Sequence, residues 1–576
     1  MKQLLLGNAA VARGLYEAGC SVVSSYPGTP STEITEEAAK YDDMYCEWAP
    51  NEKVAMEVAF GAALAGKRSA CCMKHVGVNV AADPLFTISY TGVNAGMVIC
   101  VADDAGMHSS QNEQDSRHYA VSAKIPMVEP SDSAEACAFV KTAYEISEQF
   151  DTPVFLKMCT RVSHSQSVVE TGTRQEAPVR PYVKNINKYV MMPGMARLRH
   201  PVVEQRTRDL IAYAETTPLN RVEMGDTSVG IITSSTCYQY AREVFGPQAS
   251  ILKLGLINPM PRKLILDFAA KVDKLVIIEE LDPVIEEHCR ILGLDVTGKD
   301  VLPMEDEFSQ GLVAEKLGLP AKECTALEVD IPGRPPVMCP GCPHRGLFYT
   351  LAKNKCTVLG DIGCYTLGAI APLFAIETCE CMGASVSSIH GFNKAMGAEG
   401  EKRTVAVLGD STFMHSGMTG LANIAYNQSN STVIILDNST TGMTGHQENP
   451  TTGRNIKGDP AGKIDLESLC RAMGIRRVTV VDPYDLKACD KVLKEELAAE
   501  EPSVIITRRP CVLLKSVKLN KPPVKVDPLK CKSCKMCMKI GCPAISMRED
   551  KAVIDNTLCV GCGVCIQLCK FDAMQE

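Results

Sequence analysis

The sequence predicts an α/β protein with three parallel-sheet domains, followed by a small C-terminal α+β domain rich in cysteine. Short apolar runs alternate with helical stretches along most of the 576 residues, which is typical of parallel sheets flanked by helices. The length also exceeds one domain, because domains usually contain about 100–200 residues. Two dense cysteine runs end the alternation and set the terminal domain apart.

The first parallel-sheet domain is predicted at residues 1–185. A helical pattern of small residues spans Lys53–Leu64, between apolar runs that are predicted to be strands. The charged, proline-containing stretch 186–224 is predicted to be a connector with one helix near Pro201–Glu215. The predicted strands of the first domain include Leu4–Leu6, Val22–Ser25, Met97–Ala102 and Val154–Lys157.

Two further α/β domains are predicted at residues 225–325 and 330–515. Gly333, Pro335 and Pro336 mark the break between them, and Lys521-Pro522-Pro523 leads into a last domain at 522–576. The predicted strands of these domains are Val229–Thr233, Ile251–Leu256, Leu275–Glu280, Val358–Asp361, Val405–Asp410, Val433–Asp437, Val478–Val481 and Val504–Thr507.

The C-terminal domain contains two cysteine runs, in each of which three closely spaced cysteines precede a fourth. This spacing is typical of two-[4Fe–4S] ferredoxin domains, where the fourth cysteine ligates the other cluster. The alternative is a pair of zinc knuckles, each with four ligands of its own. A four-residue gap before Cys542 and Lys570 after the last cysteine depart from the usual pattern, but neither removes a ligand. The predicted ligand sets are Cys531, Cys534, Cys537 and Cys569 for the first cluster, and Cys559, Cys562, Cys565 and Cys542 for the second.

Composition excludes several classes of protein. The net charge is −8 and no basic tract occurs, which argues against nucleic acid as a partner. No run of about twenty apolar residues is present to span a membrane. The 27 cysteines without a signal-peptide pattern favour a reducing cytoplasm with thiols reserved for metal. Two clusters imply that electrons leave one at a time, so we expect the larger domains to catalyse an oxidation or reduction.

The third domain contains a pattern suited to a magnesium diphosphate. Asp410 and Asn438 follow successive predicted strands, so their oxygens, with the Thr440 carbonyl, are predicted to bind Mg²⁺. Gly409 and the helix start after it offer N–H groups to the diphosphate. This Gly-Asp…Asn pattern is typical of thiamine diphosphate enzymes, with Ser411 in place of a glycine; the alternative is an ordinary strand-to-helix turn. The remaining predicted cofactor-binding residues are Gly442, Met443 and Cys364.

Thiamine diphosphate also requires a carboxylic acid that hydrogen-bonds its aminopyrimidine ring. Glu52 lies in the first turn of a predicted helix rich in small residues, where close approach and an apolar pocket are expected. Glu57 is the alternative acid. A first-turn glutamate also has a purely structural interpretation, because it interacts favourably with the helix dipole.

Over its whole length, the sequence resembles the large subunits of indolepyruvate ferredoxin oxidoreductases, which belong to the 2-oxoacid:ferredoxin oxidoreductases. The segments that carry the resemblance are Tyr26–Glu33 (YPGTPSTE), Asn51–Lys53, Lys74–Asn79 (KHVGVN), Met107–Asp115 (MHSSQNEQD), Cys339–Arg345 (CPGCPHR) and Gly360–Tyr365 (GDIGCY), together with the C-terminal cysteine runs.

The resemblance implies a pyrimidine-binding domain first, a transketolase-C-terminal-like domain second, a diphosphate-binding domain third and a ferredoxin domain last. It implies oxidative decarboxylation of arylpyruvates with coenzyme A to aryl-acetyl-CoA and CO2, with electrons passed to external ferredoxin. It also implies a separate small β subunit and dimerised large subunits. The alternatives are a non-oxidative thiamine decarboxylase, an enzyme for another 2-oxoacid such as pyruvate, and a polyferredoxin-like carrier.

The resemblance further assigns residues near the substrate and a third cluster. Thr29 is expected to contact the substrate, and His75 and His108 are candidates to face it. Packing alone is the alternative explanation for each of these residues. Cysteines at comparable places in related enzymes hold a cluster beside the thiamine, and unligated buried thiols are the alternative. The matching residues are Cys339, Cys342, Cys364 and Cys511.

Overall fold

A computed structural model describes residues 1–320, 325 and 328–576. The chain divides into two compact units, Met1–Glu328 and Val329–Glu576. Among the described residues, no helix is both long and apolar enough to cross a membrane.

A seven-stranded sheet forms the centre of the first unit. Its strands are parallel except for one edge strand. Met97–Asp103 is buried along its whole length, as expected for a strand covered by helices on both faces. In spatial order the strands are Leu256–Asn258, Met127–Val128, Val154–Cys159, Met97–Asp103, Ser69–Lys74, Val22–Ser25 and Tyr45–Trp48.

One predicted strand lies outside this sheet. Leu4–Leu6 belongs to the strand Lys2–Leu6, which pairs antiparallel with Gln166–Glu170 in a separate two-stranded ribbon. Both strands are largely exposed or half-buried. Exposed backbone with mixed polarity suits an antiparallel ribbon better than a buried parallel strand.

A second sheet of four strands belongs to the same unit. Its strands are parallel apart from Arg221–Glu223. One hydrophobic core contains residues from both 1–185 and 225–325, such as Phe155 and Ile232. Residues 1–185 and 225–325, predicted as separate domains, therefore pack together. The spatial strand order is Leu275–Ile278, Asp226–Ser234, Ala249–Leu254 and Arg221–Glu223.

The predicted connector contains a long helix, Pro193–Ala214. Its Arg206 is buried and donates hydrogen bonds to the carbonyls of Ser89 (2.8 Å) and Asp151 (2.9 Å). The remaining helices of the first unit are Gly7–Glu17, Thr32–Ala38, Glu52–Leu64, His75–Val80, Ala82–Thr91, Arg117–Ala123, Ser133–Phe150, Thr160–His164, Ile186–Tyr189, Cys237–Phe245, Arg262–Ala269, Val284–Ile291 and Gln310–Lys316.

The second unit contains a five-stranded, fully parallel sheet. Its strand order is Thr357–Leu359, Thr404–Gly409, Thr432–Asp437, Ser503–Arg508 and Arg477–Val481. Helices flank it at His344–Lys353, Ala384–Met396, Ala398–Glu401, Asp410–Thr412, Met418–Tyr426, Leu466–Ala472 and Leu486–Leu497, with a 3₁₀ helix at Cys364–Ala369 and a π-helical turn at Phe413–Gly417.

The cysteine-rich tail belongs to the same second unit. Its core includes cysteines of both runs and contacts Leu486 and Tyr349 of the sheet domain. Antiparallel pairs join Lys525–Val526 to Met574–Gln575 and Ile545–Arg548 to Lys551–Ile554. Short 3₁₀ helices occur at Met536–Ile540 and Ile566–Leu568.

Arg117 links the two sheets of the first unit through buried charge. Its guanidinium donates to both carboxylate oxygens of Asp115 and, over 2.6 Å, to Glu279. It also donates to the carbonyls of Glu280 and Asp282. Although burial opposes the shift, Arg117 lowers the pKa of Asp115 to about 2. Arg117 also favours the anionic form of Glu279, although burial leaves the pKa of that carboxyl raised.

We predict that Arg117→Met destabilises this unit strongly, because it leaves Asp115 and Glu279 as buried charges without their partner. Removing one partner of a buried ion pair costs about 3–5 kcal/mol. Urea or thermal unfolding measures the loss. The exposed pair Lys263–Asp267 supplies the control, and Lys263→Met is expected to change stability far less. Equal destabilisation by the two variants would contradict this account.

Candidate active site and cysteine clusters

In the first unit, the predicted site segments follow the carboxyl ends of neighbouring parallel strands. Thr29 follows Val22–Ser25, Glu52 follows Tyr45–Trp48 and His75 follows Ser69–Lys74, three strands that are adjacent in the sheet. Ligand sites of open α/β sheets lie at this edge. The sheet therefore brings these distant segments together.

Glu52 opens the helix Glu52–Leu64, and only 4% of it is exposed. The Asn51 side chain caps this helix by accepting a hydrogen bond from Val54 N (2.9 Å). A methyl group at Gly77 would lie 2.7 Å from the Glu52 carboxylate, so that glycine permits close approach. Glu57 is exposed and pairs with Lys53. Burial therefore favours Glu52 over Glu57 as the acid.

Lys74 is a charged neighbour of Glu52 that the sequence analysis did not single out. It is mostly buried, and its Nζ donates to the Ser109 carbonyl (2.8 Å). Burial lowers its pKa to about 8, against the opposing effect of Asp104 and Glu52. Its side chain passes Gly28, where an added methyl group would lie 3.1 Å from Cγ. The half-buried Thr29 thus follows a turn that lies against Lys74.

His75 is buried, and one of its ring nitrogens has a fixed role. Nε2 lies 3.2 Å from the Asn112 carbonyl oxygen, which only accepts, so Nε2 carries the proton. Burial lowers the His75 pKa, which favours the neutral ring, and the buried Nδ1 makes no hydrogen bond. Nδ1 is therefore an available acceptor. His108, by contrast, is exposed and lies 3.4 Å from Glu307.

In the second unit, Asp410 lies at the carboxyl end of the strand Thr404–Gly409 and is buried. Burial, reinforced by Asp437, raises its pKa to about 8, while backbone N–H groups of Ser411, Ser439 and Thr440 partly offset the shift. Oδ1 accepts from Ser411 N (2.7 Å), but Oδ2 makes no hydrogen bond. A buried carboxylate oxygen without a donor suits a hard cation.

Asn438 is oriented by a buried histidine. Its Nδ2 lies 3.4 Å from His344 Nε2, and burial lowers the His344 pKa to about 4, so the neutral ring accepts from the amide. This leaves the Asn438 amide oxygen for a cation. Thr440 is buried beside it, and the Thr441 hydroxyl donates to Ser411 Oγ (2.9 Å). The donor set therefore fits Mg²⁺.

The other predicted cofactor-binding residues are more scattered. A methyl group at Gly442 would lie 3.5 Å from Cys364 Sγ and 3.7 Å from Asn438 Nδ2. Gly442 and Cys364 are therefore close neighbours. Met443 is half-exposed. Asp361, in the same GDIG turn region as Cys364, was not singled out from the sequence. It is buried and accepts from the backbone N–H of Ile362, Gly383 and Ser385.

The four cysteines predicted to hold a third cluster lie near enough to influence one another electrostatically. Burial, with contributions from Cys511 and Cys339, raises the pKa of Cys364 to about 11. Burial, with contributions from Cys339 and Cys364, raises that of Cys342 to about 12. Cys364 and Cys511 follow the strands Thr357–Leu359 and Ser503–Arg508, which flank the two strands that end at Asp410 and Asn438.

The tail cysteines separate into two groups around two cavities. Backbone N–H groups of Ala552, Ala573 and Val524 lie 3.3–3.5 Å from cysteine sulfurs, and such contacts stabilise cluster thiolates. One cavity is lined by Cys531, Cys534, Cys537 and Cys569, and the other by Cys542, Cys559, Cys562 and Cys565. Each group thus takes its fourth cysteine from the other run.

The spacing of the sulfurs bears on the zinc alternative. Four thiolates on one zinc ion, at about 2.3 Å each, lie about 3.8 Å from one another. Among the residues that the structure describes, no three cysteine sulfurs lie within 4.8 Å; the only candidate triad of any kind is Asp115, His118 and Asp282. The close packing that four zinc ligands require is thus not found among the described tail cysteines.

Arg345 links the tail to the Cys339–Cys342 loop and was not assigned a role from the sequence. It is 5% exposed. Its guanidinium donates to the carbonyls of Met338 (2.5 Å) and Cys339 (3.1 Å), and to those of Ile540 (3.0 Å) and Gly541 (2.5 Å). No described carboxylate pairs with it. Its charge favours the thiolates of Cys342 and Cys562, one cysteine from each neighbouring group.

Comparison with protein families matches three regions of the chain. Residues 13–223 match the thiamine-diphosphate-binding domain of pyruvate flavodoxin/ferredoxin oxidoreductases. Residues 361–507 match the C-terminal thiamine-pyrophosphate-binding domain of thiamine pyrophosphate enzymes. Residues 552–575 match the 4Fe-4S binding domain.

Curated relatives match the chain over its whole length. The indolepyruvate oxidoreductase subunit IorA of Archaeoglobus fulgidus is 40% identical, with 100% of this chain and 97% of the relative covered. IorA of Methanothermobacter thermautotrophicus is 39% identical over the same shares. A solved 2-oxoglutarate:ferredoxin oxidoreductase from Magnetococcus marinus covers 55% of this chain and 65% of its own at 16% identity, with a TM-score of 0.47.

Thiamine-binding regions and a ferredoxin-like tail on one α/β chain define a thiamine-dependent 2-oxoacid:ferredoxin oxidoreductase. Such an enzyme binds thiamine diphosphate and iron–sulfur clusters. The chain belongs to the IorA family of indolepyruvate oxidoreductase subunits, and it is therefore one subunit of a multi-subunit enzyme.

Proposed function

We propose that this protein oxidatively decarboxylates arylpyruvates such as indolepyruvate and forms the aryl-acetyl thioester of coenzyme A. In the balanced reaction, one 2-oxoacid, one coenzyme A thiol and two oxidised ferredoxins give the thioester, CO2, two reduced ferredoxins and one proton. The C–C bond to the carboxylate breaks, the C–S bond forms, and each ferredoxin accepts one electron. The aryl preference is supported by the names of the full-length relatives.

One observation carries this proposal. In the second unit, the strands leading to Cys364 and Cys511 flank those leading to Asp410 and Asn438 at one sheet edge. The substrate carbon to be oxidised and the third cluster, as the first electron acceptor, would thus be neighbours. A non-oxidative decarboxylase does not need this arrangement.

Residues of the first unit act on the pyrimidine ring and the substrate. Thiamine diphosphate, when bound, would supply the nucleophilic carbon and the electron sink that decarboxylation requires. Glu52 hydrogen-bonds the aminopyrimidine. The Thr29 hydroxyl donates to a carboxylate or ketone oxygen of the substrate, and His75 accepts a proton or hydrogen bond at Nδ1. Lys74, which Glu52 and Asp104 stabilise, favours the negative charge of a 2-oxoacid.

Residues of the second unit hold the diphosphate and Mg²⁺. Asp410 Oδ2, the Asn438 amide oxygen and the Thr440 carbonyl are the proposed cation ligands, and binding a cation would keep Asp410 ionised. Gly409, Ser411, Gly442, Met443 and Cys364 complete the cofactor-binding segment. The diphosphate is thereby positioned by backbone N–H groups and the cation together.

Three [4Fe–4S] clusters held by this chain would supply one-electron transfer from the active site to the acceptor. Cys531, Cys534, Cys537 and Cys569 hold the first tail cluster, Cys559, Cys562, Cys565 and Cys542 hold the second, and Cys339, Cys342, Cys364 and Cys511 hold the third. The small β subunit and a second copy of the large subunit complete the enzyme. We place it in the cytoplasm, and the described cysteines, all unpaired, are consistent with a reducing compartment.

Glu52→Gln tests the function directly. Purified without oxygen together with the small subunit, the wild-type enzyme should couple indolepyruvate oxidation to viologen reduction and thioester formation. We expect Glu52→Gln to lose about 10²–10⁴-fold of this activity, as for other acid–base groups, because an amide does not donate the acid's proton. The exposed Glu57→Gln should retain activity.

Three outcomes would contradict the proposal. Aldehyde release without viologen reduction would identify a non-oxidative decarboxylase. Turnover of pyruvate in strong preference to arylpyruvates would overturn the substrate assignment. Full activity of Glu52→Gln would remove that carboxylate from the site.

Iron analysis tests the third cluster. Anaerobically prepared protein should contain about 12 iron atoms per chain, because three cubane clusters hold four each. Cys511→Ser should lose about four of them, whereas the exposed Cys379→Ser should lose none. A wild-type content near about eight would exclude the third cluster.

Arg345 should raise the reduction potential of the clusters on either side of it. A cation several ångströms away stabilises the added electron by about 1–2 kcal/mol at an effective dielectric near 20–40, equivalent to about 40–90 mV. Arg345→Met should therefore lower a midpoint potential measured by redox titration with paramagnetic resonance. Arg345→Lys keeps the positive charge but loses the hydrogen bonds to the carbonyls. It therefore distinguishes the effect of charge on the reduction potential from the effect of loop positioning. Unchanged potentials in the Met variant would contradict this role.

A further inference from the structure

A groove in the second unit is lined by lysines and opens beside the first tail cysteine group. Its wall includes Met536 and Lys539, which flank Cys537, and Lys570, which follows Cys569. The opposite wall contributes Lys353, Lys487 and Lys491. We name this surface the lysine groove.

The charge of the lysine groove is largely uncompensated. Lys353 pairs with Asp490 and Lys491 with Glu495, but Lys487, Lys539 and Lys570 pair with no carboxylate of the described residues. From Pro528 through Arg548 the chain carries five basic residues and no acidic residue, although the whole chain has a net charge of −8. A positive patch on an acidic protein attracts an acidic partner.

The cavity around the first tail group shares Met536 with the lysine groove, and exposed sulfur and apolar side chains lie around it. Cys534 is the exposed member of the first tail group, and the cavity around that group is also lined by Lys532, Lys535 and Phe571. Phe571 is 43% exposed, and Leu529, just before the run, is 87% exposed. Apolar side chains ringed by charge are typical of interaction surfaces.

On this basis, and resting on the proposed function, we propose that the lysine groove and the face around Cys534 dock the electron acceptor, an acidic one-electron carrier protein. Electron exit requires the acceptor to approach a cluster closely, and this face brings lysines, apolar contacts and an exposed cluster cysteine together. Electron-transfer encounters bury little area and dissociate quickly, and charge steers them. The surface therefore suits a brief complex.

A second groove beside the other tail group provides the comparison. It is lined by Cys562, Arg509, Lys518 and Lys521, and it shares Lys487 with the lysine groove. Here Arg509 pairs with Asp482 and Lys521 with Glu576, so its cations are more nearly neutralised. Matched charge reversals in the two grooves therefore distinguish the exit beside Cys537 from an exit beside Cys562.

The test compares Lys539→Glu/Lys570→Glu with Lys518→Glu/Lys521→Glu in the complete enzyme. The acceptors are a purified acidic two-[4Fe–4S] ferredoxin and methyl viologen, a small cation. At low ionic strength, the first variant should lose about tenfold or more in kcat/KM for the ferredoxin and most of its salt dependence. Viologen reduction should be unaffected, and the second variant should resemble the wild type. Iron content and circular dichroism confirm that each variant is folded and loaded.

Different failures have different signatures. If no variant, nor the wild type, reduces viologen with a 2-oxoacid, the proposed function fails. Normal viologen reduction with unchanged ferredoxin kinetics in Lys539→Glu/Lys570→Glu overturns the docking surface. A loss confined to Lys518→Glu/Lys521→Glu moves the exit to Cys562. A rise in KM for coenzyme A alone would assign the lysine groove to the phosphates of that small molecule and overturn the proposal.

Discussion

A charge buried in protein must be neutralised by a partner or be hydrogen-bonded, and two buried ionisable groups of the second unit, Asp410 and Arg345, have no described side-chain partner of opposite charge. Asp410 has a carboxylate oxygen without a donor, and Arg345 contacts only carbonyl oxygens. In the proposed function, a divalent cation would neutralise Asp410, and anionic cluster thiolates would balance the charge of Arg345.

Parallel-sheet topology brings the candidate site residues together. Because the carboxyl ends of parallel strands share one edge, residues as distant in sequence as Asp410 and Cys511 follow neighbouring or nearby strands. In the first unit the same rule gathers the segments of Thr29, Glu52 and His75. Small residues then set the final distances, as Gly77 does for the Glu52 carboxylate.

Sequence reasoning anticipated the arrangement of residues best where that arrangement follows from local spacing. The cysteine runs predicted the grouping around the two cavities because a cluster fixes the intervals between its ligands. The predicted strand ends also placed Asp410 and Asn438 at one sheet edge, because neighbouring parallel strands share that edge. The antiparallel pairing of Lys2–Leu6 was not predicted, because a short apolar run does not reveal its partner.

The residues that sequence reasoning missed depend on partners far along the chain. Arg345 contacts carbonyls 195 and 196 residues away, and Lys74 is placed against Glu52 and Gly28 only by the sheet. Both residues lie inside segments that carry the family resemblance. The sequence signal for Lys74 was a charge at the end of an apolar strand, and the signal for Arg345 was a charge just after a cysteine pair. Charge without a local counter-charge is therefore a useful sequence marker for such sites.

The central claim is that the site for 2-oxoacid oxidation and the cysteine clusters work as one electron path within this chain. Paramagnetic resonance on the anaerobic enzyme with its small subunit tests it most directly, with indolepyruvate added and every external acceptor withheld. The account predicts that the substrate alone produces signals of reduced [4Fe–4S] clusters. Release of CO2 while dithionite-reducible clusters stay oxidised would contradict it.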